Sequence, residues 1–106
     1  TEWRGGTVRV LHVSDYYDPA RNGQYAWLRA NGKGRAARPG HADLRDSSEL
    51  LAVYPNGVRM GKIAAANSLG VMGTAAGASA SLGGKLLALK IQSALAQIKR
   101  WRRKHY

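Results

Sequence analysis

The chain has 106 residues and no cysteine, and it carries a formal net charge of +11. This length allows one domain with a modest core, or a small domain followed by an extended helix. The absence of cysteine excludes a disulfide framework and a thiolate metal site. The charge favours a polyanionic partner: nucleic acid, an acidic membrane surface or an acidic protein.

Short apolar runs in the N-terminal half predict β-strands. Residues 7–13 alternate and are rich in β-branched residues, which is typical of a strand. Tyr25–Arg29 and Glu49–Tyr54 are the second and third predicted strands. Pro55–Gly57 favours a turn after the third strand, and Val58–Met60 would return as a short partner.

These segments predict a small antiparallel β module over residues 1–60. Its predicted core residues are Trp27, Leu28, Leu51 and Val53. A long basic loop, residues 31–48, connects the second and third strands, and structureless loops of this length are usually functional or mobile. The loop residues that we predict to bind a polyanion are Lys33, Arg35 and Arg38.

A Gly/Ala-rich helical region follows at residues 61–106 and begins with a long uncharged stretch. Ile63–Gly84 has no charge over 22 residues, but it holds too few large apolar side chains for a lone membrane span. Small residues recur there at a spacing of three or four, which favours close helix packing and self-association. This predicted packing stripe consists of Gly70, Gly73, Gly77, Ala80 and Gly84.

An amphipathic helix is predicted from Lys85 to Lys104. The face that we expect to be buried against a membrane or partner consists of Leu87, Ile91, Leu95, Ile98 and Trp101. A second apolar strip, on the opposite side, consists of Leu82, Leu86 and Leu89. The pattern is compatible with one continuous helix and with a helical hairpin broken at Gly83-Gly84.

A basic cluster at the end of this helix is suited to phosphate, because guanidinium groups donate paired hydrogen bonds to it. Its cations are Lys99, Arg100, Arg102, Arg103 and Lys104. The neighbouring Trp101 and Tyr106 are suited to stacking on bases and to lipid headgroups alike. The cluster therefore does not distinguish nucleic acid from a membrane.

The sequence as a whole predicts an α+β fold in which the β module precedes a long C-terminal helix or helical hairpin. We find no pattern for catalytic residues, a metal site or a cofactor, and expect a non-enzymatic, cationic, membrane-active protein. A bacteriocin-like antimicrobial protein and a membrane-active virion component fit this chemistry, which favours a secreted or virion-associated location. The alternative is a structural capsid or filament subunit that neutralises nucleic acid with its basic tail.

Overall fold

The computed structural model describes residues 6–34, 40–65, 71 and 73–106, and these residues form a helical fold. The three α-helices are α1 (Asp18–Ala30), α2 (Leu44–Val53) and α3 (Ala80–His105). Short 3₁₀ helices lie at Ser14–Tyr16, Pro55–Gly57 and Met60–Ala65. No β-strand occurs within these described ranges. The predicted antiparallel β module, and with it the α+β class, is wrong.

The predicted strand Tyr25–Arg29 lies inside α1. Pro19 is in the first turn, where its missing N–H costs no helical hydrogen bond. The residues that α1 buries recur at helical spacing: Ala20, Gln24, Tyr25 and Leu28. Because Gln24 is polar, the buried face of this helix does not appear as an apolar stripe in the sequence.

The predicted strand Glu49–Tyr54 lies mostly inside α2. The Asp43 carboxylate caps this helix by accepting a hydrogen bond from the backbone N–H of Asp46 at 3.2 Å. The buried residues of α2 are Leu44, Arg45, Ser48 and Leu51. Two of these four are polar, so the helical period is hidden from a search for apolar residues.

The other two predicted strand segments, residues 7–13 and Val58–Met60, are not strands in the structure either. Residues 7–13 form no regular secondary structure. Leu11 and Val13 are partly buried in this segment, whereas Val8 and Val10 are 57% and 58% exposed. Val58 is extended, but a 3₁₀ helix begins two residues later at Met60.

Helix α3 is continuous for 26 residues, about 39 Å at 1.5 Å per residue. The Ser79 side chain caps its start by accepting a hydrogen bond from the backbone N–H of Leu82 at 3.1 Å. The helix continues through Gly83 and Gly84, so there is no hairpin at this pair. Gly83 lies directly against α2, and a Cβ atom there would overlap the Ser48 carbonyl oxygen.

The hydrophobic core is built around the first two turns of α3. Leu86 of α3 and Leu28 of α1 are fully buried. The remaining core residues are Tyr25, Leu44, Leu51, Ala78 and Leu82. The predictions for Leu28 and Leu51 are confirmed, and Trp27 packs partly buried against the core. Val53 is 70% exposed, so its predicted core position is wrong.

A buried polar network joins the three helices next to this core. The Gln24 amide nitrogen donates hydrogen bonds to Glu49 Oε1 at 2.6 Å and to the Leu86 carbonyl oxygen at 2.8 Å. Lys90 Nζ donates to the other Glu49 oxygen at 2.9 Å. Arg45 Nη1 donates to Gln24 Oε1 at 3.3 Å. These directional bonds favour one rotation of α3 relative to α1 and α2.

Candidate functional site

Four apolar side chains lie along the side of α3 that faces away from the core: Leu87, Ile91, Leu95 and Ile98. We call this set the outer face. Ile91 and Leu95 are 52% and 47% exposed, and Leu87 and Ile98 are partly buried. At 100° per residue, the centre of the outer face lies roughly 155° around the axis from Leu82 and Leu86. The fold therefore buries Leu82 and Leu86 of the second predicted strip, while Leu89 is partly buried. It leaves the outer face on the solvent side.

Trp101 lies near the end of the outer face within a small aromatic group. Its ring centroid is 5.1 Å from that of His105 and 5.6 Å from that of Tyr106. Trp101 itself is partly buried, and it lines a cavity of about 250 Å³ together with Leu11 and Gln97. An aromatic side chain with one covered and one open side suits a boundary between apolar and aqueous surroundings.

The predicted basic cluster divides into groups with different surroundings. Lys99, Arg102 and Arg103 line an open cavity of about 500 Å³ together with Tyr106. Arg100 turns away from this cavity and forms an ion pair with Asp15 at 2.6 Å. The structure thus brings together three of the five predicted cations. Lys104 lines the cavity beside Trp101 instead.

The basic loop does not add to this cavity within the part of the chain that the structure describes. Lys33 is exposed at the end of α1, where its backbone N–H donates to the Leu28 carbonyl oxygen at 2.8 Å. Arg35 and Arg38 lie outside the described residues.

The predicted small-residue stripe is not one helix face. Gly73 and Gly77 have φ angles of +103° and +87°, which a right-handed helix does not contain, and both precede α3. Ala80 is the first residue of α3, and Gly84 is exposed. Gly70 lies outside the described residues. Close helix contact within the fold is made instead at Gly83, which was not part of the stripe.

The segment before α1 covers the inner side of the second half of α3. The backbone N–H of Asp15 donates to Gln97 Oε1 at 2.8 Å, and the Ser93 hydroxyl donates to the Asp15 carbonyl oxygen at 2.7 Å. The Gln97 amide nitrogen donates to the His12 carbonyl oxygen at 3.1 Å. These contacts hold the inner side of α3 and leave the outer face on the opposite side.

The acids of the described residues are placed away from the outer face. Helix α3 contains no acid. The ion pairs are Asp15 with Arg100, Asp18 with Arg21, Asp46 with Arg45, and Glu49 with Lys90. The cations Lys99, Arg102 and Arg103 belong to none of these pairs. Positive charge therefore accumulates at the end of the outer face.

Among the described residues, no three His, Cys, Asp or Glu side chains are arranged to hold a metal ion. No helix in the same residues is long and apolar enough to span a membrane. No protein-family model, curated protein or solved structure matches the chain.

A second group of charged side chains was not found from the sequence. Arg21, Arg45 and Lys90 line a cavity of about 150 Å³ together with Tyr16, Tyr17 and Asp18. These residues lie on α1, α2, α3 and the segment before α1. Because they come from separate elements, no local motif or spacing in the sequence indicates that they form one group. The only sequence signal is the charge of the individual residues.

Proposed function

We propose that the protein attaches to anionic membrane surfaces through the outer face of α3. The observation that carries this proposal is the position of that face: it is apolar, and it lies opposite the core. Leu82 and Leu86 already fasten α3 to the folded body, so the outer face is not needed for the core. A helix of this kind can lie in the plane of a membrane interface without unfolding.

The cations at the end of the outer face make the proposed attachment depend on lipid charge. Burying an aliphatic side chain contributes about 1.5–3 kcal/mol, so the exposed halves of Ile91 and Leu95 together supply roughly 2 kcal/mol. This is too little for stable attachment alone. Each Lys or Arg near an anionic surface adds about 1 kcal/mol. Lys99, Arg102 and Arg103 are therefore expected to decide which membranes are bound.

The aromatic side chains fit the same orientation. Trp101 and Tyr106 follow the apolar part of α3 and lie beside its cations. Trp and Tyr favour the headgroup level, where the ring meets apolar chains and the polar atom meets water. In the proposed orientation, Ile91 and Leu95 enter the acyl boundary and the helix end lies among phosphate groups.

Co-sedimentation with vesicles tests the proposal. Wild-type protein is expected to bind vesicles containing phosphatidylglycerol and to bind pure phosphatidylcholine weakly. The double variant Ile91→Ser/Leu95→Ser should bind roughly tenfold or more weakly, since it loses most of the exposed apolar area of the outer face. The matched control is Val8→Ser/Val10→Ser, which removes aliphatic side chains of similar exposure that do not belong to the outer face. Circular dichroism should show that both variants remain folded.

Two results would contradict this proposal: binding that ignores lipid charge, and an equal loss in both double variants. Nucleic-acid neutralisation is the competing function, because Lys99, Arg102 and Arg103 also suit a phosphate backbone. In that case duplex DNA should bind with an affinity that falls steeply with salt, and the outer-face variant should bind it normally. Release of a trapped dye from the vesicles would separate a lytic, bacteriocin-like action from simple attachment.

A further inference from the structure

We propose that the Asn31-Gly32 pair after α1 is a site of spontaneous deamidation in the folded protein. The sequence contains three Asn-Gly pairs: Asn22-Gly23, Asn31-Gly32 and Asn56-Gly57. All three asparagines are exposed, so access to water does not distinguish them. The surrounding backbone does distinguish them, and it favours reaction at Asn31. This proposal does not rest on the proposed membrane function.

Deamidation at an Asn-Gly pair needs no reagent other than water. The backbone nitrogen of the glycine, on losing its proton, attacks the side-chain carbonyl carbon Cγ of the asparagine. The new C–N bond closes a five-membered succinimide ring, and the side-chain nitrogen takes up a proton and leaves as ammonia. Water then hydrolyses either of the two ring carbonyls, which gives aspartate or isoaspartate without any change of oxidation state. Glycine favours the ring closure, because it has no side chain to obstruct the approach.

This reaction places two requirements on the fold around each pair. The glycine N–H has to lose its proton, so a hydrogen bond from that N–H slows the attack. The chain also has to turn about the Cα–C bond of the asparagine until the glycine nitrogen faces Cγ. A regular helix opposes both steps, because its N–H groups are bonded and its ψ angles are held at about −42°.

The first pair, Asn22-Gly23, is protected by its position inside α1. In a regular helix the N–H at this depth donates to the carbonyl oxygen four residues earlier. The next two residues, Gln24 and Tyr25, are buried, and the Gln24 amide is bonded to the Leu86 carbonyl oxygen of α3 at 2.8 Å. The chain at Asn22 therefore turns only if α1 separates from the core.

The third pair, Asn56-Gly57, is held by two contacts at its glycine. The Gly57 N–H donates to the Tyr54 carbonyl oxygen at 2.9 Å within a short 3₁₀ helix. A Cβ atom at Gly57 would lie 3.0 Å from the Leu50 side chain, so this residue is packed against α2. The attacking nitrogen is thus bonded, and its neighbour restricts rotation of the chain.

The second pair, Asn31-Gly32, has neither of these restrictions. Asn31 has a φ of −110° and a ψ of 28°, so helical geometry has already ended there. The Gly32 N–H donates to no backbone oxygen among residues 6–34, 40–65, 71 and 73–106. Gly32 has a φ of +76°, and no atom lies within 4 Å of the position a Cβ would take. The attacking nitrogen is unbonded, and the space around it is open.

One hydrogen bond of the Asn31 side chain sets the consequence of the reaction. Asn31 Nδ2 donates to the Trp27 carbonyl oxygen at 2.8 Å in an exposed position, where water can replace it. The carboxylate product cannot donate this bond. It also places a negative charge at the C-terminus of α1, where the helix dipole is already negative. Deamidation of Asn31 is therefore expected to weaken the end of α1.

Peptide mapping by mass spectrometry tests the proposal, because trypsin separates the three pairs. Cleavage after Lys and Arg places them in peptides 22–29, 30–33 and 46–59. The full chain is aged at neutral pH, with unaged protein digested in parallel. Peptide 30–33 should deamidate about fivefold faster than peptide 46–59, since the Gly57 N–H first has to give up one hydrogen bond. Peptide 22–29 should react most slowly. Ageing in guanidinium chloride, which removes the helices, should bring the three rates together.

The assignment is overturned if peptide 22–29 or 46–59 reacts as fast as peptide 30–33 in the folded protein. It is also overturned if the order of the three rates is the same in guanidinium chloride, because the fold would then have no part in it. The variants Asn31→Asp and Asn56→Asp test the consequence, since both add one exposed negative charge. Asn31→Asp should unfold at a lower urea concentration than Asn56→Asp, and equal midpoints would refute the expected weakening of α1.

Discussion

Asp43 is an acidic residue whose position favours its neutral form. It is 3% exposed at the start of α2, where its carboxylate accepts a hydrogen bond from the Asp46 N–H. Burial raises the pKa of Asp43 above its usual 3.8, and the hydrogen bond from Asp46 opposes this effect only in part. The folded protein therefore holds this proton more tightly than the unfolded chain does.

The raised pKa predicts how stability changes with pH. Between 3.8 and the raised native pKa, the folded state binds more protons at Asp43 than the unfolded state, so this residue's contribution to stability falls as pH rises. Asp43→Asn should remove that decrease while keeping a good helix cap. Relative to wild type, the variant should gain stability as pH rises from 3.8 through the raised native pKa. Urea unfolding followed by circular dichroism measures the difference.

The exposed Asp18 provides a control for this measurement, because Asp18→Asn also removes one acid near the start of a helix. If the difference between wild type and Asp43→Asn stayed constant over the whole range, the raised pKa of Asp43 would be refuted.

At the scale of elements, α2 and α3 are in direct backbone contact at Gly83. Gly83 allows the backbone of α3 to approach the Ser48 carbonyl oxygen, and the Ser48 hydroxyl accepts a hydrogen bond from the Ser79 N–H at 3.2 Å. The neighbouring Gly84 is exposed and has no atom within 4 Å of the position a Cβ would take. Two adjacent glycines in one helix thus have opposite surroundings.

This difference predicts opposite effects of the same substitution. Gly83→Ala should destabilise the protein by about 3 kcal/mol or more, because the new methyl group meets rigid backbone rather than a flexible side chain. Gly84→Ala should stabilise it by about 0.5–1 kcal/mol through helix propensity. Chemical denaturation of the two variants measures both values. Similar stability of the two variants would show that α2 and α3 do not approach closely at Gly83.

The sequence allowed a helix to be predicted only where its apolar residues repeat at helical spacing. The helix from Lys85 onward was predicted correctly, because its Leu and Ile residues repeat at helical spacing. Helices α1 and α2 were missed, because Gln24, Arg45 and Ser48 occupy buried positions. Their burial depends on partners from distant parts of the chain, such as Glu49 for Gln24. No local pattern contains that information.

The same limit applies to the candidate site. The sequence indicated two apolar strips on the last helix, but not which of them the fold would cover. The strip that contains Leu86 is covered, because Leu28 of α1 and Leu51 of α2 pack with Leu86 in the core. The outer face is the strip that this packing leaves on the solvent side. That this face binds a membrane or a partner stays a prediction, and its position opposite the core required the structure.

At the scale of the whole molecule, positive charge exceeds the negative charge that pairs with it. The described residues include five acids, of which four form ion pairs and the fifth, Asp43, caps α2. The complete chain has 17 Lys and Arg against 6 Asp and Glu. Repulsion among the remaining cations opposes the compact state, whereas exposed ion pairs such as Arg21 with Asp18 contribute little.

This balance predicts that salt stabilises the protein. Raising sodium chloride from about 10 mM to 500 mM shortens the Debye length from about 30 Å to a few ångströms and screens the repulsion. The midpoint of urea unfolding should therefore increase. A midpoint that falls with salt would mean that the four ion pairs outweigh the net repulsion.

The position of α3 at the centre of the core has a consequence for the order of events during synthesis. Leu28 and Leu51 are buried in a cluster that includes Leu82 and Leu86, and the ribosome adds α3 after α1 and α2. Until α3 has been synthesised, the apolar core side chains of α1 and α2 therefore remain exposed. Exposed apolar surface of this kind favours aggregation and chaperone binding. A stalled chain that ends before Ala80 should be captured by chaperones, whereas one that exposes all of α3 should escape them.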